Sequence, residues 1–239
     1  RYSSFKESRT TTAYQMKTIF ISRKLLSTSV FRTTLEAKGF TIHGKSLLNF
    51  SAIEFNKIPS SNWIFFYSKN GVKFFFNQLK KKNISVPTTV QWATIGKKTG
   101  KALQQKVDKV NFTGGGNTLE TAMDFLKVAK NRTVLFPQAF HSRKTIQRLL
   151  ENNIIAKELI VYKNEPKKNV RIPNCEYLVF TSPMNVKAYF KDRSLFDNQK
   201  IFAIGRTTEK TLVSIGIEDY NVAEEPSEEA LVKAILKTI

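Results

Sequence analysis

The chain has 239 residues, and its 39 Lys and Arg against 19 Asp and Glu give a net charge of +20 at pH 7. A hydrophobic fraction of 41% with 19 Phe excludes a disordered chain, and no apolar run reaches the ~18 residues of a membrane span. One Cys and two His exclude an intrachain disulfide and the usual zinc sites, so we expect a protein of the reducing cytoplasm without a bound metal.

Residues 1–16 lack a clear periodicity, and we interpret them as a tag or a disordered leader. From residue 17 onward, runs rich in Val, Ile and Phe alternate with helix-length segments. The predicted strands are 18–22, 63–67, 91–95, 133–136, 176–181 and 200–204. Several are apolar throughout, which is typical of strands buried on both faces of a parallel sheet. The predicted fold class is therefore α/β.

The sequence contains an internal duplication. The run WIFFYSKNGVKFF matches EYLVFTSPMNVKAYF at an offset of 114, and ATIGKKTGKAL matches FAIGRTTEKTL at an offset of 109. A fainter match relates TIFISRK…TTLEAKGF to VLFPQAF…RLLENNII at an offset of about 115. Each half of the chain therefore contains one copy of the same strand and helix series.

Two short apolar segments, 45–55 and 160–165, occupy equivalent places in the two copies and are predicted crossovers between two domains. The first domain is then discontinuous, comprising 17–47 plus 164–239, and the second, 51–161, is inserted into it. Residues 48–50 and 162–163 are the predicted linker strands. Two similar α/β domains joined in this way form the predicted architecture.

Cations follow the predicted strand ends: Arg23 and Lys24, Lys69, Lys97 and Lys98, Arg143 and Lys144, and Arg206. In α/β sheets, ligands bind beyond the carboxyl ends of the strands, where helix N-termini also favour anions. These turns therefore predict a site for an anionic ligand, with Lys97, Arg143 and Arg206 among its contacts. The alternative is that these cations are ordinary solvated surface.

The net charge also permits a non-catalytic two-lobed module that binds nucleic acid or another polyanion. Because the sequence contains no RNP-like aromatic pair, helix-turn-helix or basic helix face, we do not expect nucleic acid. The segment GGGN lacks the spacing of a phosphate-binding loop, and it is a predicted turn before a helix that starts at Thr118.

Several ordered motifs resemble the uroporphyrinogen-III synthase family: the paired turns YSKNGV and TSPMNV, the paired turns IGKKTGKAL and IGRTTEKTL, and the segments LFPQAF, LIVYKN and AEEPSEEALVKAI. The resemblance covers about 17–239. It implies two α/β domains with an active-site cleft between them, and no metal or organic cofactor. It also implies a monomeric hydro-lyase that closes hydroxymethylbilane, a polyanionic linear tetrapyrrole, with loss of water and inversion of the last pyrrole.

The resemblance also implies roles for individual residues. Tyr162 in LIVYKN matches the family's tyrosine and is the predicted proton donor to the departing hydroxide. Thr207 and Thr208 match paired threonines, Ser68 and Ser182 match serine turns, and Arg143 matches a basic position after LFP. The first serine turn departs from the family pattern because Lys69 replaces proline.

Overall fold

The computed structural model describes residues 17–239; the predicted leader, 1–16, lies outside the described residues. The chain forms two compact units. The first unit comprises the described residues up to Asn49 together with Pro166–Ile239, and the second is Phe50–Glu165. The predicted linker segments 48–50 and 162–163 lie within two strands, Leu48–Ala52 and Ile155–Pro166.

Strands and helices alternate along most of the described residues. The strands are β1 (Thr18–Ile21), β2 (Thr41–Gly44), β3 (Leu48–Ala52), β4 (Trp63–Phe66), β5 (Gln91–Thr94), β6 (Phe112–Thr113), β7 (Thr133–Ala139), β8 (Ile155–Pro166), β9 (Tyr177–Phe180), β10 (Lys200–Ala203) and β11 (Asn221–Val222). The helices are α1 (Val30–Glu36), α2 (Lys69–Lys82), α3 (Lys97–Gln104), α4 (Thr118–Ala129), α5 (Thr145–Leu150), α6 (Pro183–Phe190), α7 (Arg206–Ser214) and α8 (Glu228–Leu236). All six predicted strands are present, and the α/β class is confirmed. The short strands β2, β6 and β11 were not predicted.

The strand order shows that the duplication is structural. The sheet of the first unit has the order β11-β10-β9-β1-β2, and the other sheet has the order β6-β5-β4-β7-β8-β3. β4, β5 and β6 therefore correspond to β9, β10 and β11, whereas β7 and β8 correspond to β1 and β2. All ladders from β11 to β2 and from β6 to β8 are parallel. β3 adds an edge strand beside β8.

The strands bury side chains on both faces of each sheet, as their apolar sequences predict. In β4, Ile64 and Phe66 pack with residues of α2 and α3, whereas Trp63 and Phe65 pack with residues of α4 and α5. All four are at most 5% exposed. No helix in the described part of the chain is both long and apolar enough to cross a membrane.

The GGGN segment forms the predicted turn, and two of its three glycines are required by the structure. A Cβ atom on Gly114 would lie 2.4 Å from Thr121 Cγ2 and 2.7 Å from the Ile95 carbonyl oxygen. Gly116 has φ +99°, a backbone conformation that residues other than glycine rarely adopt. The Asn117 side chain then caps α4 by accepting hydrogen bonds from the backbone N–H groups of the helix. The segment connects β6 to α4.

We expect Gly114→Ala to lower the free energy of unfolding by about 1–3 kcal/mol, because the added methyl group has no room. Gly115→Ala is the matched control, since no atom lies within 4 Å of its added Cβ. Chemical denaturation of both variants measures the difference. Equal free energies of unfolding for the two variants would show that the close contacts around Gly114 do not exclude a methyl group.

Candidate active site

The candidate residues of the second unit come from turns at the carboxyl edge of its sheet. Ser68 follows β4, Lys97 begins α3 after β5, and Arg143 lies in the loop after β7. Because these strands are parallel, their carboxyl ends meet at the same edge. Tyr162 lies inside β8, opposite Ala139 at the end of β7. The four residues predicted in this unit therefore belong to one edge of one sheet.

A β-bulge determines which way Tyr162 points. Gln138 pairs with Ile160, but the next residue of β7, Ala139, pairs with Tyr162, so Val161 is an extra residue in β8. Consecutive residues of a regular strand lie on opposite faces. Here Val161 and Tyr162 both pack in the cluster formed with α2 and α3. The bulge thus turns Tyr162 toward α2.

The Tyr162 ring is buried, and its hydroxyl has one hydrogen-bond partner among residues 17–239. The side chain is 7% exposed, and its ring stacks on Phe74 of α2 at 5.2 Å between centroids. The hydroxyl oxygen lies 3.3 Å from Ser68 Oγ. Burial raises the pKa of Tyr162 above its ordinary value of 10, although the hydrogen bond to Ser68 opposes this shift. The phenol is therefore protonated at neutral pH, as a proton donor must be.

The two predicted serine turns are helix caps. Ser68 Oγ accepts a hydrogen bond from the Gly71 N–H at 3.1 Å, and Ser182 Oγ accepts one from the Asn185 N–H at 3.3 Å. Ser182 also accepts a bond from the Asn185 side-chain amide at 2.8 Å. Lys69 in place of proline does not prevent α2 from starting directly after Ser68. Of the two serines, only Ser68 also contacts the candidate acid.

The paired I-G turns begin α3 and α7 without a side-chain cap. Gly96 and Gly205 occupy the N-cap positions, and neither can supply a capping oxygen from a side chain. The first turn of α3 carries Lys97 and Lys98 and no acidic residue, whereas that of α7 contains Glu209. Uncapped N–H groups beside cations favour an anionic ligand.

In the first unit, the turn after β10 lines a cavity of about 520 Å³. Arg206 and Thr207 are exposed on its wall, and Glu209 and Glu224 also line it. Thr208 is 1% exposed, and its backbone N–H donates to the Gly205 carbonyl. The structure therefore exposes Arg206 and Thr207 to a ligand and packs Thr208 beneath them.

Not all cations at the strand ends are free. Arg23 is bound by Glu228, and Lys144 Nζ lies 2.7 Å from Glu158 Oε1. Within residues 17–239, Lys97, Arg143 and Arg206 form no ion pair. The second unit has 19 Lys and Arg against 7 Asp and Glu, a net charge of +12. The first has 17 against 11 over its described residues, a net charge of +6.

Sequence reasoning missed two polar features of the second unit. Gln138 in β7 is 2% exposed, and neither polar atom of its amide has a partner among the described residues. Tyr67, directly before Ser68, forms hydrogen bonds with Gln147 of α5. A polar residue within the apolar run VLFPQAF was the available signal for Gln138. Nothing in the sequence indicates the pairing of Tyr67 with Gln147.

A larger cavity lies at the opposite edge of the second unit. Its volume is about 640 Å³, and it is lined by residues near the amino ends of the strands, including Asn62, Val90 and Thr133. Because ligands of parallel α/β sheets bind beyond the carboxyl ends of the strands, we do not assign this cavity to the active site.

Comparisons with known proteins agree with the fold. The family model described as "Uroporphyrinogen-III synthase HemD" matches residues 29–233. The uroporphyrinogen-III synthase of Chlorobaculum parvum is 28% identical over 94% of this chain and 100% of that protein. The porphyrin biosynthesis protein HemD of Ruminiclostridium josui is 26% identical over 75% of this chain, which spans 38% of that longer protein.

Solved structures with the same fold include two described as uroporphyrinogen-III synthases. The Helicobacter pylori structure has a TM-score of 0.69 at 22% identity and covers 94% of this chain and 100% of its own. A mutant from Thermus thermophilus has a TM-score of 0.61 at 16% identity and covers 92% of this chain and 99% of its own. At these sequence identities, the structural similarity is evidence for a shared fold.

The ion pair between Arg23 and Glu228 is expected to stabilise the fold. Glu228 also accepts hydrogen bonds from Ser29 Oγ at 2.6 Å and from the Phe31 N–H at 3.0 Å, and thereby joins α8 to the start of α1. Burial opposes ionisation of Glu228, but these hydrogen bonds and Arg23 outweigh it and lower the pKa of its carboxyl.

We expect Glu228→Gln to lower the free energy of unfolding by about 1–3 kcal/mol at neutral pH, because a charged hydrogen-bond acceptor is lost. A carboxyl with a lowered pKa stabilises the fold above its unfolded pKa, and this contribution disappears as the pH falls through the folded pKa. The difference from the wild type should therefore shrink in acid. Urea denaturation between about pH 3 and 7 measures it, with Glu229→Gln in the same helical turn as the control. A difference that does not depend on pH would contradict the assignment.

Proposed function

Because the chain belongs to the uroporphyrinogen-III synthase family, we propose that it is a hydro-lyase that cyclises hydroxymethylbilane to uroporphyrinogen III. The observation that carries this proposal is the family match over residues 29–233, which includes the strand-end turns of both units. The substrate class is a small tetrapyrrole with eight carboxylates. Unpaired cations beside uncapped helix starts, as at Lys97, suit such a polyanion.

We assign binding roles from each unit. In the second unit these residues are Ser68, Lys97 and Arg143, and in the first they are Ser182, Arg206, Thr207 and Thr208. Arg143 and Arg206 offer planar guanidinium groups that bind carboxylates through two hydrogen bonds. Thr208 acts from below the surface by supporting the turn that exposes Thr207, since its own side chain is buried.

The harder task in this reaction is geometric. The pyrrole nitrogen pushes out the hydroxide of the terminal hydroxymethyl group, which leaves as water once it has a proton. In unassisted closure, the free α-position of the last ring then attacks the methylene carbon that the hydroxide has left, which gives isomer I. Isomer III requires attack by the substituted carbon and inversion of that ring through a spiro intermediate. Holding the carboxylates fixed favours that approach.

Tyr162 is the proposed donor of the proton to the departing hydroxide. Its hydroxyl belongs to the same edge as Lys97 and Arg143, and its contact with Ser68 fixes its direction. Because the ring is buried among aromatic side chains, only the hydroxyl end can face a substrate. The proposed enzyme requires no cofactor and acts as a monomer in the cytoplasm.

The decisive experiment uses freshly prepared hydroxymethylbilane. After incubation and oxidation, chromatography separates the isomer I and isomer III porphyrins. The proposed enzyme yields isomer III well above the spontaneous isomer I. Isomer I alone would remove the catalytic function and favour a non-catalytic polyanion-binding module.

We expect Tyr162→Phe to lower turnover by about 10²-fold, the lower end of general acid catalysis, because a pyrrole-assisted leaving group needs little protonation. Isomer III should remain the main product, since binding rather than Tyr162 orients the rings. The pKa of Tyr162 is raised, so the wild-type rate should show no loss from its ionisation between about pH 6 and 9.

Turnover and isomer ratio are measured together for this variant. Tyr220→Phe is the control, because Tyr220 precedes β11 at the amino end of that strand. Unchanged turnover in Tyr162→Phe would exclude the proton-donor role and leave positioning as the mechanism.

A further inference from the structure

A polar network joins the loop that carries Arg143 to the neighbouring strands. Glu158 of β8 accepts a hydrogen bond from Gln147 Nε2 at 3.2 Å, and its Oε1 lies 2.7 Å from Lys144 Nζ. Gln147 in turn accepts a bond from the Tyr67 hydroxyl at 3.3 Å, and its backbone N–H donates to that hydroxyl at 3.2 Å. The network therefore connects three elements around one carboxylate.

The Tyr67 hydroxyl is the last group of this network, and it donates a hydrogen bond to Gln147. Burial raises the pKa of Tyr67, and the nearby charge of Glu158 acts in the same direction, while backbone N–H groups of α5 oppose the shift. Its phenol therefore stays protonated and can donate to Gln147. Because Ser68 follows Tyr67 in the chain, the network reaches the residue that contacts the proposed acid.

The Arg143 loop is held at two points. At its start, the Phe140 N–H donates to the Tyr162 carbonyl at 2.9 Å. At its end, Lys144 has φ +53°, a left-handed conformation that a lysine rarely adopts without support. The Lys144 N–H donates to Ser142 Oγ at 3.3 Å, and the side chain is bound by Glu158. Arg143 lies between these two anchors, exposed and without an ion pair among the described residues.

We infer that Glu158 is a positioning residue, which fixes the Arg143 loop through Lys144 and Gln147 so that Arg143 meets an anionic group of the substrate. This inference rests on the proposed function. A direct contact of Glu158 with the substrate would place two negative charges together. Its role is therefore exerted through the loop, and it should affect substrate binding through Arg143.

The test is a double-mutant cycle on the KM for hydroxymethylbilane. We expect Arg143→Ala to raise KM about tenfold, since a charged hydrogen bond is lost. Glu158→Gln should raise KM about three- to fivefold, as expected for a partly exposed ion pair, and leave kcat nearly unchanged. In the Arg143→Ala background, Glu158→Gln should have no further effect on KM.

Asp124→Asn is the matched control, because it removes a carboxylate that pairs with Lys127 within α4 of the same unit. Its KM should equal that of the wild type. Thermal unfolding of each variant separates positioning from stability, since a merely structural role would not make the KM effects depend on Arg143. Lys144→Gln removes the same ion pair from its other side if Glu158→Gln fails to fold.

If the wild-type protein forms isomer III, two results would overturn the positioning role of Glu158. One is that the effects of the two substitutions on KM are additive, and the other is that Arg143→Ala does not change KM. A wild-type protein that forms only isomer I would overturn the proposed function itself. The two failures are therefore distinguishable in one set of assays.

Discussion

Parallel pairing within each sheet is the constraint on which the other features depend. The ladders from β11 to β2 and from β6 to β8 are all parallel. Each strand must then be followed by a crossover, so helices cover both faces and the strand interiors become apolar on both sides. Most of the polar side chains that could bind a ligand therefore lie in the turns. The site candidates follow strand ends for this reason.

Tyr162 is the exception, because it lies within a strand. A regular β8 would have placed it on the face opposite Val161, away from α2. The extra residue in β8, Val161, lies opposite the end of β7, and it brings the side chains of Val161 and Tyr162 to the same face. One irregularity in one ladder therefore brings the phenol to Ser68, which is 94 residues away in the chain. Bulges commonly redirect side chains at functional sites in this way.

The distribution of charge has two physical roles at these edges. Arg23 and Lys144 are bound by carboxylates and stabilise the junctions of helices and loops. Lys97, Arg143 and Arg206 have no such partner within the described residues, and their fields extend into solvent. A polyanionic substrate would be attracted by the second group while the first holds the turns in place. The net charges of the second and first units, +12 and +6, favour an anionic ligand in the same way.

Sequence periodicity determined the strands, because a parallel strand buried on both faces needs an apolar run that is visible locally. It also determined the duplication, since equivalent turns recur at nearly constant offsets, and the equal strand orders confirm it. The strands β6 and β11 were missed because each has two residues, too few for any periodicity.

The sequence by itself thus determined the fold class, the positions of the longer buried strands and the turns in which site residues occur. Only the tertiary structure decided which of these residues are available. It buried Thr208, paired Lys144 with Glu158, and brought Tyr162 to Ser68. These outcomes depend on contacts between residues far apart in the chain and on a one-residue change of register. Local patterns of hydrophobicity and charge do not indicate these contacts or this change of register.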